Sequence, residues 1–263
     1  MPQYQEKTIV TRVERLSEEN VRLTLKAPEI ASACKPGQFV MIRAAAGKDP
    51  LLRRPFSIHQ ADADGHIQIF FKIVGRGTEL LAQVREAEEL SVFGPLGKPF
   101  QIDENRPVCL VGGGLGIAPM LFLAKEISRR KTTSTAANLV ILGGRSKGDV
   151  EPLMADFNEI GLPTLAATDD GSYGTKGFVT ELLKTADLPQ GTQVYTCGPE
   201  PMMGAVSGWC DEQGLDCQVS VESVMACGMG ACLGCSRPVG ENQYVHVCMD
   251  GPVFDAKELK WNL

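Results

Sequence analysis

The cysteines near the C-terminus constrain this chain more than any other feature. Cys227, Cys232 and Cys235 stand in the spacing C-x4-C-x2-C, and Cys248 follows after twelve intervening residues. Six of the nine cysteines lie between Cys210 and Cys248. Four thiolates converging on one small centre need a backbone that wraps tightly around it. Gly228, Gly230 and Gly234 supply that freedom and let amide N–H groups approach sulfur. The spacing matches the plant-type [2Fe–2S] pattern, with Cys227, Cys232, Cys235 and Cys248 as ligands. Structural zinc and a redox disulfide are the alternatives. Zinc sites favour paired C-x2-C knuckles, and only Cys232 and Cys235 form one. A Rieske centre needs two histidines, whereas only His246 is near. Cys34, Cys109, Cys210 and Cys217 read as buried small hydrophobes.

A tail dense in cysteine and glycine cannot build its own core, so it must lean on what precedes it. The 263 residues allow two domains plus such an appendage. The first hundred residues carry six short alternating runs, from KTIVTRVERL to ELSVFGPLG, bounded by Gly, Pro, Asn and Asp. They predict an antiparallel six-stranded barrel over residues 1–101, with one short helix at Thr78–Glu86. From Arg106 the pattern changes. PVCLVGGG, ANLVILGG, PTLAATDD and QVYTCGPE read as strands, alternating with helical segments of 10–14 residues. That alternation predicts a parallel sheet wound by helices over residues 102–216. The cluster-bearing tail occupies 217–263.

Three motifs carry chemistry in the first two domains. The segment VCLVGGGLGIAPM follows a strand and opens a helix. Gly112, Gly113, Gly114 and Gly116 let backbone N–H groups meet a pyrophosphate, with Pro119 in place of the usual third glycine. The second strand ends in Gly143-Gly144-Arg145-Ser146-Lys147, without the acidic residue that reads a ribose. Arg145 and Lys147 either hold a 2′-phosphate or form a solvated turn. Cys197, Gly198 and Pro199 close the last strand, at the sheet edge where ligands of open α/β sheets bind. Cys197 is placed to touch a reacting ring, or is a buried strand-end thiol. In the barrel, Arg54-Pro55-Phe56-Ser57 offers a guanidinium fork for a pyrophosphate and a hydroxyl for a flavin edge. Gly75-Arg76-Gly77-Thr78 starts a helix and is a second candidate phosphate site.

Taken together, R-P-x-S on a barrel, G-G-G-x-G-x-x-P and C-G-P-x-P-M-M resemble the ferredoxin–NADP reductase superfamily over roughly residues 5–215. The tail MACGMGACLGC, followed by VCMDGPVF, narrows the resemblance to the electron-transfer subunits of class 1B dihydroorotate dehydrogenases. That resemblance spans nearly the whole chain. It implies FAD held by Arg54, Pro55, Phe56 and Ser57 and by Phe70, Phe71, Lys72, Gly77 and Thr78. It implies NAD on the wound domain, one [2Fe–2S] cluster, and a separate FMN-containing catalytic subunit in a two-plus-two heterotetramer. Electrons would then pass from the partner's FMN through the cluster and FAD to NAD+, in pyrimidine biosynthesis.

Composition agrees with that reading. A net charge of −6 and a pI near 5.2 weigh against a nucleic-acid partner. Three histidines leave a Ser-His-Asp hydrolase short of parts. No run approaches 18 apolar residues and no secretory leader opens the chain, so a cytoplasmic protein without membrane attachment is expected. Barrel, wound domain and tail use every residue, so the organic substrate is expected on another protein. Two rival readings remain. One is the reductase subunit of a hydrogenase or of a ferredoxin:NADP transhydrogenase. The other is a non-catalytic zinc-bearing module.

Overall fold

A computed structural model describes residues 2–261 apart from 46, 48, 131–137 and 242. Six strands close into an antiparallel barrel: β1 (Tyr4–Arg15), β2 (Asn20–Lys26), β3 (Phe39–Arg43), β4 (Arg54–Ala61), β5 (His66–Lys72) and β6 (Glu89–Leu96). Their order around the barrel is β1-β2-β5-β4-β3-β6. Period-two patterning explains the closure. On β2 the alternate residues Val21, Leu23 and Leu25 are fully buried, and Ile67 and Ile69 on β5 meet them inside. Two short helices, α1 (Pro28–Ala33) and α2 (Arg76–Leu81), cover the barrel. The helix expected at Thr78–Glu86 thus starts and ends earlier. Thr78 fixes its start: its hydroxyl accepts from the Val74 and Gly75 N–H groups at 2.9 and 3.2 Å.

The second domain alternates as expected: β7 (Val108–Gly113), α3 (Ile117–Arg129), β8 (Leu139–Gly144), α4 (Lys147–Ile160), β9 (Thr164–Thr168), β10 (Thr175–Lys176), α5 (Val179–Thr185), β11 (Gln193–Cys197) and α6 (Glu200–Gln213). Every residue of β7 is buried, as a central parallel strand requires. With β12 (Asp216–Ser220) and β15 (Val253–Asp255), the sheet order β10-β9-β8-β7-β11-β12-β15 reverses direction between β7 and β11. That reversal is the topological switch point, and the loops leaving β7 and β11 open a crevice there.

The helix–strand alternation stops at Asp216 in the sequence, but the sheet does not. Strand β12 (Asp216–Ser220) pairs parallel with β11, and β15 (Val253–Asp255) pairs antiparallel with β12. Both are short and mostly polar on one side, so neither stands out as a run. Between them the chain leaves the sheet as a loop carrying the hairpin β13 (Ser236–Gly240) and β14 (Gln243–His246) and the short helix α7 (Val247–Asp250). As its composition demands, this excursion has no core of its own. Met225, Cys235, Val247 and Cys248 share one hydrophobic cluster with Met41 and Leu96 of the barrel and Val206 of α6. Among the described residues no helix is long and apolar enough to cross a membrane.

Candidate functional site: a thiol centre, a flavin cavity and a nucleotide cleft

The four tail cysteines come together as two pairs. Cys235 Sγ lies 3.3 Å from Cys248 Sγ, and both residues are buried. Cys227 and Cys232 form the outer pair, half-buried and exposed respectively. Backbone N–H groups surround the sulfurs. Met229 N and Cys232 N each lie 3.4 Å from Cys227 Sγ, and Gly230 N lies 3.2 Å from Cys248 Sγ. Gly234 N approaches Cys232 Sγ at 3.4 Å, and Cys248 N approaches Cys235 Sγ at 3.5 Å. The glycines are required here. Gly228 and Gly230 have φ of +71° and +80°, and an added Cβ would lie 2.6 Å from Met41 and 2.8 Å from Met249. Slight burial raises the Cys227 thiol, but the Met229 and Cys232 N–H groups outweigh it and bring its pKa down to about 7. Amide donors aimed at sulfur favour thiolate, the form that ligates metal. Two pairs of thiols with amide donors at their sulfurs suit the two irons of a [2Fe–2S] cluster, so the donor set fits that group.

A cavity of about 260 Å³ opens against the barrel wall, bounded by Arg54, Pro55, Phe56 and Ser57 from β4 and by Phe70, Phe71 and Lys72 from β5. Thr78 lines it as well, with its hydroxyl engaged in the α2 turn. Gly77 stands behind: a Cβ there would lie 2.7 Å from Arg54 Nε, so its missing side chain makes room for the guanidinium. Arg53, its neighbour, is a brace. It donates to the Ser91 carbonyl at 2.7 Å and to the Ser91 hydroxyl at 2.9 Å. Arg54 Nη1 also donates, to the Leu52 carbonyl at 2.7 Å, but of the two arginines it is Arg54 that lines the cavity and can meet a ligand. The far wall comes from the tail: Ser220, Glu222, Met225 and Pro252. Burial raises the Glu222 carboxyl above its ordinary range. A guanidinium, aromatic walls and a hydroxyl at one edge fit a flavin dinucleotide.

The second cavity, about 490 Å³, lies over the switch point. Gly113, Gly114 and Pro199 line it. The other predicted nucleotide residues pack behind it. A Cβ on Gly116 would lie 2.2 Å from the Cys197 carbonyl oxygen, and one on Gly198 would lie 2.5 Å from Met202. Gly112 presses on Ile117 and Met120, and Pro119 is buried in the first turn of α3. Cys197 is buried and lines neither cavity. Burial pushes its thiol upward, Glu222 adds to the shift, and a Ser220 hydrogen bond opposes it. It thus sits one layer behind the flavin cavity's wall. Phe70, Lys72 and Leu115 line both cavities, so the two are adjacent.

Sequence reasoning missed Ser220, Glu222 and Met225 on the flavin wall and Asp169 and Phe178 in the cleft. The carboxyl-end rule for open sheets would have found the first two had β12 been recognised.

Comparison with known proteins agrees domain by domain. Residues 7–100 match the family of oxidoreductase FAD-binding domains, and residues 110–208 match oxidoreductase NAD-binding domains. Residues 222–260 match the iron-sulfur cluster binding domain of dihydroorotate dehydrogenase B. A solved structure of an NADH-dependent reduced ferredoxin-NADP oxidoreductase superposes with TM-score 0.86 at 28% identity, covering 98% of this chain and 91% of that one. Among similar chains, the dihydroorotate dehydrogenase B (NAD(+)) electron transfer subunit of Geobacillus thermodenitrificans is 39% identical over 97% of this chain and 98% of its own. Its counterpart in Desulforamulus reducens is 37% identical over 89% and 90%, and that of Fusobacterium nucleatum 35% over 94% and 95%. Coverage and identity of this order place the chain in the family of dihydroorotate dehydrogenase B (NAD+) electron transfer subunits.

Proposed function

We propose that the chain takes electrons from a separate FMN-containing dihydroorotate dehydrogenase subunit and delivers them to NAD+, in the pyrimidine (UMP) pathway. The two kinds of subunit assemble two plus two, in the cytoplasm. One observation carries the reading: the three sites adjoin in series. The flavin cavity shares Phe70, Lys72 and Leu115 with the nucleotide cleft, and its far wall includes Met225, two residues before Cys227. Bound there, the cluster handles single electrons, the nicotinamide a hydride, and the flavin both. The chain's own residues position them. Cys235 and Cys248 anchor the cluster inside, while Cys227 and Cys232 hold its solvent edge. Arg54 meets the flavin pyrophosphate, and Ser57 its ring. The Gly113 and Gly114 backbone meets the nucleotide pyrophosphate.

Four exposed apolar side chains stand within three residues of a cluster cysteine in the sequence: Val224, Met229, Leu233 and Met249. Exposed apolar residues beside a redox centre suit a protein partner, and we assign them to the interface with the catalytic subunit. The likeness to the ferredoxin-NADP oxidoreductase favours a second reading, a transhydrogenase subunit. The test is purification of the complex from native cells. A coloured complex that reduces NAD+ with dihydroorotate is expected. A complex that reduces nicotinamide only from ferredoxin would favour the second reading.

A further inference from the structure

One corner of the nucleotide cleft is lined by four ionisable side chains, Lys72, Arg145, Asp149 and Asp169, and by the aromatic ring of Phe178. The corner is built at the carboxyl ends of β8 and β9. Asp169 N–H donates to the Gly144 carbonyl at 3.1 Å, and Asp170 N–H donates to the Arg145 carbonyl at 3.2 Å. These bonds hold the two strand ends side by side, so groups from both face one cavity.

The charged groups differ in what they are free to do. Lys147, the second cation of the GGRSK tip, pairs with Glu151 at 3.1 Å and does not line the cleft. Asp149 accepts the Arg145 N–H at 3.1 Å and lies 4.0 Å from Lys72 Nζ. Among the described residues nothing engages the Asp169 carboxylate. Phe178 is 64% exposed although it lines a cavity, which leaves one ring face open to a flat partner.

We propose, resting on the assignment of this cleft to the nicotinamide nucleotide, that Asp169 accepts hydrogen bonds from the adenosine ribose hydroxyls, that Phe178 carries the adenine, and that this corner selects NAD over NADP. An ionised carboxylate only accepts, and a ribose diol offers two donors. A 2′-phosphate would instead bring nearly two negative charges against Asp169 and Asp149, with Arg145 as the counterweight, since Lys72 is already paired with Glu19. The acidic residue that usually reads the ribose follows the second strand of the fold. Here Gly-Gly at the end of β8 is followed by Arg145, the nearest carboxylate after it, Asp149, is tied to the Arg145 N–H, and the unengaged carboxylate is Asp169, directly after β9, the next strand in the sheet.

The test uses the full chain with flavin and cluster, and follows NADH and NADPH oxidation with ferricyanide. In Asp169→Asn, KM for NADH should rise about tenfold to a hundredfold, the worth of a charge-assisted hydrogen bond. NADPH should be unaffected or improved, so the ratio of kcat/KM for the two nucleotides falls at least tenfold. Phe178→Ala should weaken both nucleotides alike and leave that ratio unchanged. Because Asp169 is exposed, unaltered flavin and cluster absorbance in the variant will certify its fold. An unchanged ratio in Asp169→Asn overturns the inference and leaves the function standing. Oxidation of neither nucleotide by the wild-type chain overturns the cleft assignment itself.

Discussion

Replacing Gly116 by alanine tests how tightly the nucleotide cleft is built. The added Cβ would lie 2.2 Å from the Cys197 oxygen, 2.3 Å from its carbonyl carbon and 2.4 Å from Gly198 N. All three are backbone atoms, so no rotamer change relieves them. Ordinary contact begins near 3.4 Å, so the loop after β7 and the corner after β11 must part by about 1 Å. Those two segments flank the switch point, so the distortion falls on the nucleotide's seat. Overpacking of this kind costs about 1–3 kcal/mol of stability, and a misplacement of about 1 Å costs about a hundredfold in rate. The assay is NADH oxidation with ferricyanide by the flavin-loaded chain. kcat/KM should fall about a hundredfold while flavin and cluster absorbance stay intact, since neither of those sites uses Gly116. Gly208→Ala is the control. It lies inside α6 with nothing within 4 Å, so it should raise stability by about 1 kcal/mol and leave kcat/KM alone. A Gly116→Ala chain within threefold of wild type would refute the reasoning.

Other predictions reach the interface and the pH dependence. Leu233→Asp places a charge next to Cys232 at a residue 56% exposed, so the isolated chain should fold and keep its NADH–ferricyanide activity. Its association with the catalytic subunit, read by size-exclusion chromatography, should weaken at least tenfold. His59 is fully buried, and its Nδ1–H donates to the Ala118 carbonyl at 2.7 Å, tying the barrel to α3. Burial lowers its pKa to about 4, outweighing the opposing Ala118 hydrogen bond, and Arg22 adds to the lowering. The neutral ring therefore stabilises the native state in full above its unfolded pKa near 6.5, and that contribution is lost as pH falls through about 4. The difference corresponds to about 3 kcal/mol. Urea midpoints measured from pH 7 to pH 4 should fall more steeply for wild type than for His59→Gln.

What was legible in the chain depended on how local each feature is. Three of the four proposed cluster ligands lie within nine residues, so their spacing was enough to put a [2Fe–2S] centre ahead of zinc or a disulfide. The barrel and the wound sheet were legible because burial imposes a period on each strand and helix. The glycine loop was legible as a motif but not residue by residue. Gly113 and Gly114 face the cleft, whereas Gly112 and Gly116 are small because neighbouring atoms press on them. Strands β12 and β15 were invisible because they are short additions to a sheet edge. Glu222 went unseen with them. Asp169 was out of reach for another reason: its significance comes from lying beside Gly144, just past a strand the ribose rule does not name.

The central claim is a division of labour between an outward-facing cluster and an inward nucleotide cleft. Stopped-flow absorbance of Cys232→Ala, mixed in turn with NADH and with the reduced catalytic subunit, tests it most directly. Flavin bleaching by NADH should proceed at the wild-type rate, and electron exchange with the partner should be lost. Undiminished exchange with the partner, or loss of both reactions in a folded chain that retains FAD, would contradict the account.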